Sequence, residues 1–333
     1  MRTIKKIDIF NFDLENGKQK PYLPLYYETF GLPLGSAPVI VVNHSLTGNS
    51  SLSGEKGWWK EIVGDDKAID TNLFTIIAFN VPGNGYGDPQ ANLIQNYHDF
   101  SIRDIARIFW EGLFYLDVSS IYALIGVSLG GTVAWEMAAL QPDSIDHLVP
   151  IATDWKATDW VIANVLIQDQ ILNNSKNPVV DARMHAILLY HTPEYINQLY
   201  KREKTDDDKT FKIEEWLLDQ GNQLENRYSL AAYKFMNHLL KTNDVTRDRK
   251  DLTAIARRIE SNIHLVSVDS DYLFTDKECC KTFRKIRSVK QNVYYNQIQS
   301  VYGHDAFLMD FDQLSTILRP ILNNHQKQNY VYL

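Results

Sequence analysis

The segment Gly126-Val127-Ser128-Leu129-Gly130 constrains this chain more than any other. It follows an apolar run at 122–127 and opens a helical pattern that continues through Ala134 to about Leu140 and stops at Pro142. A serine on such a strand-to-helix turn is held in a strained conformation, with its hydroxyl exposed at the carboxyl edge of a sheet. Glycines flank it because a side chain there would collide with the adjoining strand or helix. The N–H of the next residue, Leu129, then points at a developing oxyanion. The pattern predicts Ser128 as a nucleophile.

The rest of the chain supplies the sheet that such a turn needs. Short apolar runs at 39–42, 74–79, 122–127, 148–151, 263–268 and 293–298 alternate with helical patterns, which predicts a mostly parallel sheet flanked by helices. Two earlier segments, 7–12 and 23–30, joined by a turn at Asn16-Gly17, read as an antiparallel hairpin at the sheet edge. Ser101-Ile102-Arg103-Asp104 and Thr275-Asp276-Lys277-Glu278 have the form of capping boxes. Between Asp154 and Arg257 the strand signal nearly vanishes, and helical patterns occupy 160–172, 180–190, 211–218 and 229–240. The expected architecture is therefore an α/β core of residues 1–154 and 258–333, with a helical lid, 155–257, inserted into it.

Composition excludes several classes of function. A formal charge of −7 and the lack of a basic stripe argue against a nucleic-acid or anionic-membrane surface. The two cysteines, Cys279 and Cys280, are adjacent and match no metal-binding or redox spacing. No apolar run approaches the length of a membrane span, and the basic N-terminus lacks the apolar stretch of a signal peptide. The expected setting is cytoplasmic, with no bound cofactor and no metal.

A serine nucleophile needs a base and a group to orient that base, in the chain order serine, acid, histidine. Of nine histidines, only His304 and His325 lie beyond residue 264, and His325 falls in a polar tail. His304, in a loop after the last strand-like run, is the expected base. The acid should follow the seventh strand, where Asp269 and Asp271 both stand; position alone does not choose between them. One would orient His304 while the other braces the turn. The loop Asn43-His44-Ser45-Leu46-Thr47-Gly48 follows a strand and is placed to give a second oxyanion N–H, from Leu46, with His44 as a structural histidine. Gly83-Asn84-Gly85-Tyr86-Gly87 reads as a turn, since neither a following helix nor a ribose-binding acid fits a dinucleotide fingerprint. Arg183 and Tyr190 are seven residues apart on a helical pattern, so a cation and a phenol share one face of the lid.

Together these residues resemble the homoserine O-acetyltransferase family of α/β-hydrolase-fold enzymes over nearly the whole chain. The matching segments are His44-Ser45-Leu46-Thr47-Gly48, Gly57-Trp58-Trp59, Ala68-Ile69-Asp70-Thr71, Ser101-Ile102-Arg103-Asp104, the nucleophile turn, Ala182-Arg183 with Tyr190, Asp219-Gln220-Gly221, Ser270-Asp271-Tyr272-Leu273-Phe274, and residues 302–308. The resemblance implies Asp271 as the triad acid and Leu46 and Leu129 as oxyanion donors. It implies that Arg183 holds an acceptor carboxylate, with Tyr190 and Asp305 near its amine or hydroxyl. It further implies acetyl-CoA as acyl donor, L-homoserine as acceptor, and a homodimer joined through lid helices. The chain departs from the family pattern in a shorter loop at 80–88, in Thr132 after the nucleophile turn, and at Arg227-Tyr228-Ser229-Leu230-Ala231. Serine as acceptor, a succinyl donor, or water in an esterase would use the same triad.

Overall fold

The computed structural model describes residues 4–88, 92–206 and 208–323; His325 lies outside them. In chain order the strands are β1 (Lys5–Asp13), β2 (Gln19–Gly31), β3 (Val39–Asn43), β4 (Val63–Gly64), β5 (Ile69–Asp70), β6 (Thr75–Phe79), β7 (Ile121–Val127), β8 (Ile145–Ile151), β9 (Asn262–Val268) and β10 (Val293–Ile298). The helices are α1 (Ile102–Tyr115), α2 (Leu129–Leu140), α3 (Asp159–Asn174), α4 (Pro178–Tyr190), α5 (Pro193–Tyr200), α6 (Lys212–Glu225), α7 (Leu230–Lys241), α8 (Leu252–Arg258), α9 (Asp276–Arg287) and α10 (Phe311–Leu322).

Eight strands form one sheet in the order β1-β2-β6-β3-β7-β8-β9-β10. The β1–β2 and β2–β6 pairs are antiparallel and the rest run parallel. The central parallel strands β3, β6, β7 and β9 are buried on both faces, which is why they read as continuous apolar runs. Val41 and Leu124 pack into one apolar layer with α1, α2 and lid residues; Ile40, Val42 and Ile125 pack into the opposite layer with Trp59, Phe307 and α10. The expected hairpin is the β1–β2 edge, closed by a turn in which the Gly17 N–H donates to Leu14 O. Strand β8 begins at Ile145, earlier than the apolar run suggested, because Ile121 N–H already bonds the carbonyl of Ser144.

Six helices, α3 to α8, lie between β8 and β9. Helix α3 packs on α4 and α7, and α4 packs on α6. At the α4–α6 crossing Gly221 sits against Val180, where a Cβ would press into Val180 Cγ1, so only glycine lets the two helices come this close. The described residues contain no helix long and apolar enough to cross a membrane.

Of the two expected helix caps, one formed and one did not. Ser101 caps α1 with a reciprocal bond to Asp104, as its sequence predicts. Thr275 precedes α9 but makes no side-chain cap bond, and Asp276 instead accepts from Ser267 Oγ at 2.6 Å and from the Tyr295 hydroxyl. Arg103, on the same motif as Ser101, is a structural tie. Its guanidinium grips both carboxylate oxygens of buried Glu136 at 3.1 and 3.2 Å, pairs with Glu15 at 2.9 Å and donates to Arg247 O at 2.7 Å. Arg249 also reaches Glu136, at 2.8 Å. This network fastens the chain returning from the helical block onto α1, α2 and the β1–β2 turn.

Candidate active site

Ser128 sits between β7 and α2 with φ 53° and ψ −122°, a conformation disfavoured for a residue with a side chain. Its neighbours leave no alternative. A Cβ on Gly126 would press into the carbonyl of Gly130, and one on Gly130 would press into the carbonyls of Asn43 and His44. The Ser128 N–H is tied to Ile151 O at 2.9 Å, so the turn is fixed to the neighbouring strand and the hydroxyl projects off the sheet.

That hydroxyl meets His304. Ser128 Oγ lies 2.8 Å from Nε2, and Nδ1 lies 2.6 Å from Asp271 Oδ2. The other oxygen of Asp271 accepts the backbone N–H groups of Leu273, at 2.7 Å, and Phe274, at 2.9 Å. With Nδ1–H donating to the carboxylate, Nε2 is left as the acceptor facing the serine. Ser128, Asp271 and His304 are 5%, 3% and 3% exposed. Asp269 does not reach the imidazole; its carboxylate accepts Ser300 N–H at 2.9 Å and braces the turn after β10. The structure thus separates the two aspartates that position alone left equal.

The electrostatics follow from burial and charge. Burial alone would push the His304 imidazole down, but the charge and hydrogen bond of Asp271, with the charge of Asp305, outweigh it and hold His304 above its ordinary value. The ring is enclosed by Tyr190, Phe307 and Phe274, with ring centres at 5.4, 5.5 and 5.8 Å.

Leu46 and Leu129 are the two expected oxyanion donors. Leu129 is the first residue of α2, where an N–H has no acceptor within the helix and meets the positive end of its dipole. Leu46 lies in the loop after β3, whose Asn43 and His44 carbonyls pack on the Gly130 turn. His44 in that loop is structural: Val81 N–H donates to Nε2 at 3.1 Å, so Nδ1 carries the proton and bonds Ser45 O at 2.7 Å. Burial pushes His44 down to about 4, which keeps it neutral.

The lid faces this centre through α4. The Arg183 guanidinium lies 5.7 Å from the centre of the Tyr190 ring, so the cation and phenol do share a face, and Tyr190 in turn lies against His304. No carboxylate among the described residues forms an ion pair with Arg183. Burial pushes the Tyr190 phenol up to about 12, so it stays a neutral donor. Asp305 follows His304 and lies 3.8 Å from Nε2 of His191. Sequence reasoning missed His191, and it passed over Tyr228, whose hydroxyl donates to Leu46 O at 2.8 Å. No local signal marks either residue, because each acts through a contact made only on folding.

Beside the triad is a cavity of about 480 Å³, walled by Trp160, Leu189, Tyr272 and Phe274 over Thr153 and Asp154. Neither Ser128 nor His304 lines it. Burial pushes Asp154 up to about 7. No group of three or more metal-ligating side chains occurs among the described residues.

Sheet order, strained serine turn and Ser–His–Asp geometry define an enzyme of the α/β-hydrolase fold. Residues 38–176 match the α/β hydrolase fold family. A homoserine O-acetyltransferase of Cyclobacterium marinum is 31% identical over 92% of this chain and 91% of its own length. The chain belongs to the homoserine O-acetyltransferase family. Among solved structures, the homoserine O-acetyltransferase of Staphylococcus aureus is 25% identical with a TM-score of 0.81, covering 97% of this chain and 96% of that one. A crystallised esterase superposes with a TM-score of 0.86 at 17% identity, covering 97% of this chain and 100% of that one, which shows the shared fold alone.

Proposed function

We propose that this chain moves the acetyl group of acetyl-CoA to the hydroxyl of L-homoserine through an acetyl-Ser128 intermediate, a step towards methionine. Family membership supports the reaction. The observation that carries the acceptor is Arg183, a guanidinium with no ion pair among the described residues, set over the Tyr190 ring and one ring away from His304. An enzyme that hands an acyl group to water has no use for a fixed cation there. An amino-acid acceptor does, because its carboxylate fits the guanidinium fork.

The steps follow from the geometry. His304 Nε2 takes the Ser128 proton as Oγ attacks the thioester carbonyl. Leu46 and Leu129 N–H groups hold the tetrahedral oxyanion, and Asp271 stabilises the imidazolium. The C–S bond breaks, and the thiolate of CoA leaves with the proton from His304. Homoserine then docks with its carboxylate on Arg183 and its amine near Asp305 and Tyr190. Nε2 takes the proton of its hydroxyl, which attacks the acetyl carbonyl; the Oγ–acyl bond then breaks as Nε2 returns that proton to Ser128 Oγ. The base must be neutral to act, so a His304 held above its ordinary value makes kcat/KM rise with pH until the imidazole is deprotonated.

The same reading makes the enzyme a cytoplasmic homodimer. The apolar side chains Trp160, Leu166 and Leu188, exposed on α3 and α4, support a dimer through the lid. Thiol release from acetyl-CoA, followed with homoserine, with serine and with no acceptor, tests the function. Release that depends on homoserine is expected; release indifferent to any amino acid would make the enzyme a thioesterase.

A further inference from the structure

The loop that carries Leu46 is held from two directions. On the core side, His44 Nδ1 bonds Ser45 O at 2.7 Å, and the tautomer is fixed by Val81 N–H on the opposite nitrogen. The Ser45 carbonyl and the Leu46 N–H belong to one trans peptide and point in opposite directions. Tying down the carbonyl therefore turns the N–H the other way. The next two peptides are held from the lid: the Tyr228 hydroxyl donates to Leu46 O at 2.8 Å, and Arg227 donates to Thr47 O at 2.9 Å. Both peptide planes around Leu46 are thus clamped, one by a core imidazole and one by a lid phenol.

Tyr228 is well suited to this task. It is 5% exposed, lies between α6 and α7, and packs edge-on against Tyr233 at 6.0 Å between ring centres. Burial pushes its phenol far up, so the hydroxyl is a permanent donor. Its partner carbonyl stands 182 residues away in the chain, so the bond exists only when the lid is seated on the core.

We propose that Tyr228 is a positioning residue through which the lid aims the Leu46 N–H at the oxyanion. The proposal rests on the reading of Leu46 as an oxyanion donor. Its consequence is that acyl transfer is coupled to lid seating: a lid lifted from the loop leaves the oxyanion with Leu129 alone. That coupling would suppress loss of the acetyl group to water while the site is open.

Tyr228→Phe keeps the ring and removes the hydroxyl. The expected result is a fall in kcat of about 10- to 100-fold, somewhat less than deletion of an oxyanion donor outright, with KM for homoserine and the melting temperature unchanged. Affinity for a trifluoromethyl ketone analogue of the donor, which adds to Ser128 as a tetrahedral oxyanion, should fall by the same factor. Affinity for an unreactive thioether analogue should hold. Arg227→Ala should show the same pattern, weakened to about 2- to 5-fold, since its bond is one residue further from Leu46. If kcat falls while ketone affinity holds, or if both analogues weaken together, Tyr228 shapes the pocket rather than the oxyanion hole and the proposal is wrong. A ketone that forms no adduct with Ser128 in the unaltered enzyme would instead overturn the acyl-serine reading itself, and this proposal with it.

Discussion

The core half and the lid half of the site are built by different means. Ser128, His304 and Asp271 hang from the ends of strands, and their polar atoms are bound within the protein at 2.6 to 2.9 Å. Arg183 and Tyr190 ride on a helix and meet through ring contact, and among the described residues the guanidinium forms no ion pair. A group fully satisfied by its neighbours has one position and serves every turnover alike. A group left unsatisfied is available to a ligand. The comparison assigns acyl chemistry to the core and choice of acceptor to the lid. Substitutions in the two halves should therefore separate the two half-reactions.

The largest effect belongs to the core. Ser128→Ala should lower kcat by about 10⁴-fold or more and abolish both half-reactions, measured as thiol release and as product. Asp271→Asn comes next, with kcat down about 10³- to 10⁴-fold, because the amide no longer fixes the proton on Nδ1. The pH profile gives a second readout. Burial lowers His304 and the Asp271 charge raises it, so removing that charge shifts the acid limb of kcat/KM to lower pH. A limb that moved up would contradict the stated balance.

Arg183→Met tests the lid. We expect kcat/KM for homoserine to drop about 10²-fold, while the first burst of CoA release is unchanged. Loss of both together would erase the division between core and lid. Breaking the tie between the halves should act on stability instead. Arg103→Met leaves one oxygen of Glu15 and part of Glu136 unmatched, though Arg247 and Arg249 still reach these carboxylates, and should cost about 3 kcal/mol in urea unfolding. The smallest effect concerns Asp154, at the core–lid junction. Its folded value of about 7 stands above the ordinary carboxylate value, so the folded state binds a proton more tightly than the unfolded. Stability should fall as pH rises from about 4 to 7 and then level off. Asp154→Asn keeps the acceptor for Thr282 and Trp155 and should flatten that fall in melting temperature.

What could be read in the sequence follows the same division. The serine turn was legible because sterics at Gly126 and Gly130 admit few residues, and His304 because chain order leaves one placed candidate. The choice between Asp269 and Asp271 was not, since both lie within one turn and only the N–H groups of Leu273 and Phe274 decide which carboxylate faces the imidazole. Helices α5 and α8 escaped notice for a related reason. They have eight and seven residues, and α5 has no buried residue to set an apolar period. Thr275 has the form of a capping residue, yet its side chain makes no cap bond and its would-be partner Glu278 pairs with Lys281. His191 and Tyr228 act across the fold, and no spacing rule reaches that far.

The central claim is that Ser128 carries the acyl group between donor and acceptor. Rapid mixing of enzyme with acetyl-CoA and no acceptor, followed by acid quench and peptide mass analysis, tests it directly. The account predicts one acetyl group per chain, on the peptide containing Ser128, which leaves as O-acetylhomoserine when homoserine is added. Turnover without that intermediate, or an acetyl group resting on any other residue, would contradict it.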